Sequence, residues 1–146
     1  MCGTVRHEVI GQSFAVVHCH CSSCRRHTEA PVVSPEGLKK DQVRFTAGER
    51  RIYASSPGVG RAFYGECGTP LTWEGDGGEL GPLVELHIST FDDPSAFVPQ
   101  LHLCHDERLP WFEVADTLPA ITSGTTAIHT ATARMQRLRT QIAMVR

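Results

Sequence analysis

The sequence predicts a mainly β single domain with one added C-terminal helix, and three observations predict it. Gly and Pro together number 22 of 146 residues, which favours many short segments joined by turns. Short β-branched and aromatic runs recur through the first hundred residues. A helical apolar stripe appears only near the end of the chain. The length fits one domain able to bury its own core. With 40% hydrophobic and 21% charged residues, the chain is too apolar for disorder.

The segments follow in order. Thr4–Val9 reads as a first strand. Phe14–Cys21 reads as a second, β-branched at its start. Shorter strands are expected at Pro31–Val33, Gln42–Phe45, Arg51–Tyr53, Arg61–Tyr64 and Leu83–Ser89. Turn signals part them at Pro35-Glu36-Gly37, Ala47-Gly48, 56–60 and Gly75-Asp76-Gly77-Gly78. From Ile128 onward, apolar residues recur at Ala131, Met135, Leu138, Ile142 and Val145, in steps of three and four. That spacing marks an amphipathic helix. Residues 117–146 hold four Arg and no acid, so residues 1–116 carry a charge of −6. The expected division is a β-rich domain over 1–120 and a helical tail over 121–146. The tail would dock its stripe on its own domain or pair two copies in a homodimer.

Several classes are excluded. No run of 18 apolar residues exists, so no membrane helix is expected. A net charge of −2 argues against a nucleic-acid binder. The N-terminal residues lack a basic region followed by an apolar run, so the expected compartment is the cytoplasm. Cysteines there bind metal or do chemistry more often than they form disulfides.

Three of the six cysteines crowd into Cys19-His20-Cys21-Ser22-Ser23-Cys24-Arg25-Arg26. In a strand, Cys19 and Cys21 share one face, while His18 and His20 take the other. A turn through Ser22-Ser23 can bring round Cys24 as a third sulfur. Soft thiolates at this density select zinc. A catalytic zinc keeps its fourth position open; a structural one is closed by His27 or by a distant Cys67 or Cys104. Spacing alone does not choose between them. Arg25 and Arg26 could offset thiolate charge or hold a carboxylate, or simply be solvated. Leu101-His102-Leu103-Cys104-His105 alternates, which places His102 and Cys104 on one strand face. The plainer reading there is a core face.

Motifs along most of residues 2–120 resemble the glutathione-dependent formaldehyde-activating enzyme family, which includes the centromere protein V-like domains. Cys2-Gly3-Thr4-Val5 is similar to the end of the family's C-x-C-G-x-V opening. The stretch Cys19–Arg25 is similar to C-H-C-x-x-C-R. Arg61–Leu71 resembles R-x-F-C-x-x-C-G-[ST]-x-L. Phe45-Thr46-Ala47-Gly48, Phe91–Pro94, Pro99–His102 and Leu109–Pro119 follow in register.

The resemblance implies small coiled antiparallel sheets around Zn2+, and a carbon–sulfur lyase activity on a thiol adduct such as that of glutathione with formaldehyde. It implies a catalytic metal on Cys19, Cys21 and Cys24, with Arg25, Arg26 and His27 placed to orient substrate. It also implies a second, structural site on C-x-C and C-x-x-C. Here that site is degenerate. Only Cys2 and Cys67 remain, Tyr64 replaces one ligand, and the other falls one position before Met1. Cys2 and Cys67 are therefore expected to lie together without a tightly held zinc. The rival class is a non-enzymatic zinc module that binds a protein or nucleic-acid partner through the basic tail.

Overall fold

A computed structural model describes residues 1–124. The helix expected from Ile128 lies outside the described residues. Among the described residues, ten strands form two sheets. In chain order they are β1 (Arg6–Val9), β2 (Ala15–Cys19), β3 (Pro35–Lys39), β4 (Val43–Ala47), β5 (Arg50–Ser56), β6 (Val59–Tyr64), β7 (Pro70–Asp76), β8 (Pro82–His87), β9 (Leu101–Leu103) and β10 (Ala120–Ile121). One α-helix, α1 (Ser22–Thr28), follows β2.

The large sheet has the order β10-β9-β2-β3-β8-β7-β6-β5; β1 and β4 pair as a separate ribbon. From β2 to β5 the neighbours are antiparallel, whereas β9 runs parallel to both β2 and β10. β2 therefore sits between β9 and β3, and its Ala15, Val16, Val17 and Cys19 are all buried. A strand buried on both faces loses the usual apolar–polar alternation. The β5–β6 hairpin closes through Pro57-Gly58, where Gly58 takes φ +73. Pro then Gly with positive φ is the type II turn requirement.

Register divides the large sheet into two faces. Gly37 pairs with Ala15 and Glu85, Glu85 with Trp73, and Trp73 with Arg61. Directly paired residues point the same way. Arg61, Trp73 and Glu85 therefore share a face, with Gly37 adding no side chain between Glu85 and Ala15. On the opposite face Leu38, Val84 and Leu86 meet Val9, Val43 and Phe45 of the ribbon, with Phe91. The first face carries a second cluster: Ala15, Val17, Cys19, Cys24, Val33, Leu101 and Leu103. Leu38 is fully buried. Leu38→Ala is expected to cost about 2–5 kcal/mol in a denaturant titration.

Four local expectations change. Pro31–Val33 is not a strand; only Val33 bridges to Cys19. The strand begins instead at Pro35, where a turn was expected. Pro is accepted at a strand's first residue, and pairing with β2 and β8 on both sides overrides the turn composition. Ser22-Ser23 opens α1 rather than a bare turn, because Cys21 Sγ accepts from Cys24 N at 3.3 Å and Glu107 Oε2 accepts from Ser22 N at 2.9 Å. These acceptors satisfy N-terminal helix donors. The expected boundary at 120/121 falls inside β10, and Ser123 N beyond it donates to Asp106 Oδ1 at 2.6 Å.

Candidate metal centre

β2 and α1 build the centre between them. Cys19 ends β2, Cys21 caps α1, and Cys24 lies in its first turn. The three sulfurs stand within 4.8 Å of one another. A tetrahedral zinc with bonds of about 2.3 Å spaces its sulfurs by about 3.8 Å, so small shifts suffice to load one. The donor set suits zinc: three thiols, two of them buried, in an apolar cluster. Cys21 is the thiol held furthest down, because Cys104, Cys19 and Cys24 donate hydrogen bonds to it. The same contacts, Cys104 first, push Cys19 up.

Two further groups face these sulfurs. Arg61, on β6 and buried, donates from Nη1 to Cys24 Sγ at 3.6 Å. Glu85, partly buried on β8, is raised to about 7 by burial first and by the Cys21 charge second, with Arg61 opposing. Neither was singled out from sequence. The signal lay in the pairing of β6, β7 and β8, which places residues 24 positions apart on one face.

The expected substrate residues separate. Arg25 does not point to open space: its Nε donates to His20 O at 2.9 Å and its Nη2 to Glu107 O at 3.1 Å. It ties α1 to the 3-10 turn after β9. Arg26 and His27 line a cavity of about 740 Å3 together with Thr28, Ser34, Thr69 and His87. That is a usual size for a small-molecule site. No cysteine lines it. Arg61 stands between the two regions, since its charge lowers His27 and His87 after burial has done so. His27 Nε2 is buried without a hydrogen-bond partner, and its ring lies 5.8 Å from that of His87.

His87 is held down to about 4, by burial first. The folded chain keeps it neutral, while the unfolded chain takes up a proton near pH 6.5. Between these values the unfolded state binds more protons, so stability falls as pH drops from about 6.5 to about 4. The loss is at most about 3 kcal/mol. His87→Phe should flatten that part of a stability–pH curve measured by denaturant.

The imidazoles gather on the other side of the C-H-C stretch. His20 Nε2 lies 2.8 Å from His102 Nδ1, and His102 Nε2 lies 3.1 Å from Asp116 Oδ1. His105 completes a group of three whose ring nitrogens could also hold a metal. His18 stacks on His102 at 5.2 Å. This network fastens the end of β2 to β9 and fixes which way the sulfurs face.

Cys2 Sγ lies 3.4 Å from Cys67 Sγ. Among the described residues, neither belongs to a group of three metal-ligating side chains. Cys67 is lowered to about 7, chiefly by hydrogen bonds to Thr69. Cys104 corrects the sequence reading. It is partly buried and lies outside the core cluster, so it is not a core residue sharing a face with His102. The reason is backbone conformation. Cys104 takes φ 51, ψ 43, which turns it off the strand face that carries His102. Among the described residues, none of His27, Cys67 and Cys104, the candidates to close the site, belongs to the Cys19, Cys21 and Cys24 group.

Comparison with known proteins agrees with this arrangement. The family model described as "Glutathione-dependent formaldehyde-activating enzyme" matches residues 1–107. None of the curated proteins matches the chain. A solved structure of a Rhodobacter sphaeroides protein is similar in fold, with a TM-score of 0.53 and 20% identity over 65% of this chain and 88% of that one. With the three sulfurs gathered at the end of β2 and a match over most of its length, the chain belongs to the glutathione-dependent formaldehyde-activating enzyme family.

Proposed function

We propose that the chain is a zinc-dependent carbon–sulfur lyase-like enzyme acting on a thiol adduct of the kind glutathione forms with formaldehyde. The observation that carries this reading is the gathering of the Cys19, Cys21 and Cys24 sulfurs beside the buried Arg61. Those three residues would hold the zinc, which when bound lowers the pKa of a substrate thiol and holds it as thiolate. Arg61 offsets the negative charge of the sulfur group, as a buried cation must where thiolates collect. Glu85, poised near neutral pH, is suited to take a thiol proton and return it to the carbonyl oxygen.

The reaction balances without a redox partner. A carbon–sulfur bond forms between the thiol sulfur and the aldehyde carbon. The carbonyl electron pair moves to oxygen, which takes the proton the thiol gave up. The reverse breaks the same bond. Arg26 and His27 of the 740 Å3 cavity supply groups for the polar ends of a tripeptide thiol. The cytoplasm, where glutathione keeps thiols reduced, fits six free cysteines. Among the described residues no helix is long and apolar enough to cross a membrane.

The test is exchange spectroscopy with carbon-13 formaldehyde and glutathione. The zinc-loaded chain should speed formation of the hydroxymethyl adduct above the uncatalysed rate, and Cys21→Ser should abolish the gain. An unchanged rate would favour a zinc module without catalysis.

A further inference from the structure

We propose that Cys2 and Cys67 form a dithiol site that exchanges with a small-molecule disulfide and closes to a disulfide of its own. The site is separate from the metal centre. It uses the two cysteines that the zinc reading leaves without a task.

The two thiols come from segments 65 residues apart, and their sulfurs stand 3.4 Å from each other. Cys67 lies in the turn between β6 and β7. That turn is fixed by its own backbone: Gly68 N donates to Tyr64 O at 2.8 Å, and Tyr64 N donates to Thr69 O at 3.0 Å. Cys2 lies ahead of β1, in a stretch that joins no sheet. One thiol is therefore held and the other can move. A disulfide bond is about 2.05 Å long, so the sulfurs must close by about 1.4 Å. Gly3 and Gly68, the chain neighbours of the two cysteines, have nothing within 4 Å of where a side chain would begin. The approach is unobstructed there.

Metal does not compete for the pair. Two thiols make no closed zinc site, and among the described residues no third metal-ligating side chain joins them. Access singles them out as well. Cys19 and Cys24 are buried, whereas Cys2 is exposed and Cys67 partly so. Reactive thiols need such access, and buried ones are inert. Both cysteines line a cleft of about 160 Å3 with Tyr64, Thr69 and Ser89. Thr69 and Ser89 also line the 740 Å3 cavity, so the two spaces adjoin. A small disulfide has two halves, and each space offers room for one.

Cys67 is the attacking thiol. Thr69 Oγ1 lies 3.0 Å from its sulfur, where the hydroxyl can donate to a thiolate. Cys67 gives its proton to solvent and attacks one sulfur of the small disulfide. A bond forms from Cys67 Sγ to that sulfur, the small disulfide's own bond breaks, and the leaving thiolate takes up a proton. Cys2 then loses its proton, attacks Cys67 Sγ and expels the second small thiol, which is protonated in turn. The two cysteines lose two electrons and two protons, and the small disulfide gains both. An excess of small thiol reverses the exchange.

Oxidised glutathione is the probe, on the full chain loaded with zinc. After quenching with N-ethylmaleimide, trypsin with Glu-C releases Cys2 in residues 1–6 and Cys67 in residues 67–74. Mass spectrometry should find these two peptides linked, and excess reduced glutathione should part them. Cys2→Ser should keep glutathione on Cys67 at least about 10-fold longer than the wild type does, because no second thiol stands by to expel it. No linked peptide in the wild type, even with glutathione wholly oxidised, would overturn the proposal. So would linkage of Cys67 to another cysteine in place of Cys2, or glutathione leaving Cys67 as fast in Cys2→Ser as in the wild type.

Discussion

Cys21→Ser should lose both zinc and turnover, while the fold survives. Cys21 is one of the three gathered thiols, and its sulfur also accepts from Cys24 N at the start of α1. A serine hydroxyl is a poor ligand for zinc and does not ionise near neutral pH. Changing groups that only support a metal ligand costs about 10–100-fold in affinity, so removing a ligand should cost more than about 100-fold. The hydroxyl can still cap α1, since serine is a preferred residue there. Circular dichroism should therefore stay close to that of the metal-free wild type, while bound zinc falls below one tenth of a chain equivalent. An unfolded variant with wild-type metal content would be the opposite result.

The second large effect is expected at Arg61. Its guanidinium is buried, donates to Cys24 Sγ and shares a sheet face with Glu85. Arg61→Met keeps much of the apolar stem but leaves a partly buried carboxyl and a sulfur group without their cation. Removing a buried cation that donates to a neighbouring group costs about 1.5–3 kcal/mol. Denaturant unfolding of the metal-free chain checks that figure. The zinc dissociation constant should also rise by about 10-fold, as for loss of a supporting group. Arg61→Lys should recover part of the stability, because the charge returns without the planar guanidinium that donates to Cys24 Sγ. Equal stability in Arg61→Met and wild type would show that the cation is not needed.

Much of this centre was legible in the chain, and the remainder was hidden for physical reasons. C-x-C-x-x-C at the end of an apolar β-branched run is local, so the sequence placed Cys19, Cys21 and Cys24 together. The parity argument separating sulfurs from His18 and His20 also holds, since the imidazoles stack against His102. The helix after Cys21 was missed because its start is capped by a sulfur and by Glu107, which comes from 85 residues away. The strand at Pro35 was missed because its composition is that of a turn and only its two neighbours make it a strand. Arg61 and Glu85 come to one face through the register of β6, β7 and β8. Neither is written in local periodicity. Arg25 was expected on a substrate and instead holds two backbone carbonyls. A guanidinium beside a helix end satisfies such orphan acceptors as readily as it binds a ligand.

The division of the cysteines is the central claim: one zinc on Cys19, Cys21 and Cys24, and none on Cys2 and Cys67. Metal content by mass spectrometry tests it most directly, on the purified wild type, Cys21→Ser and Cys67→Ser. The account predicts one zinc per chain in the wild type, one in Cys67→Ser and almost none in Cys21→Ser. Zinc retained by Cys21→Ser, or lost from Cys67→Ser, would contradict it.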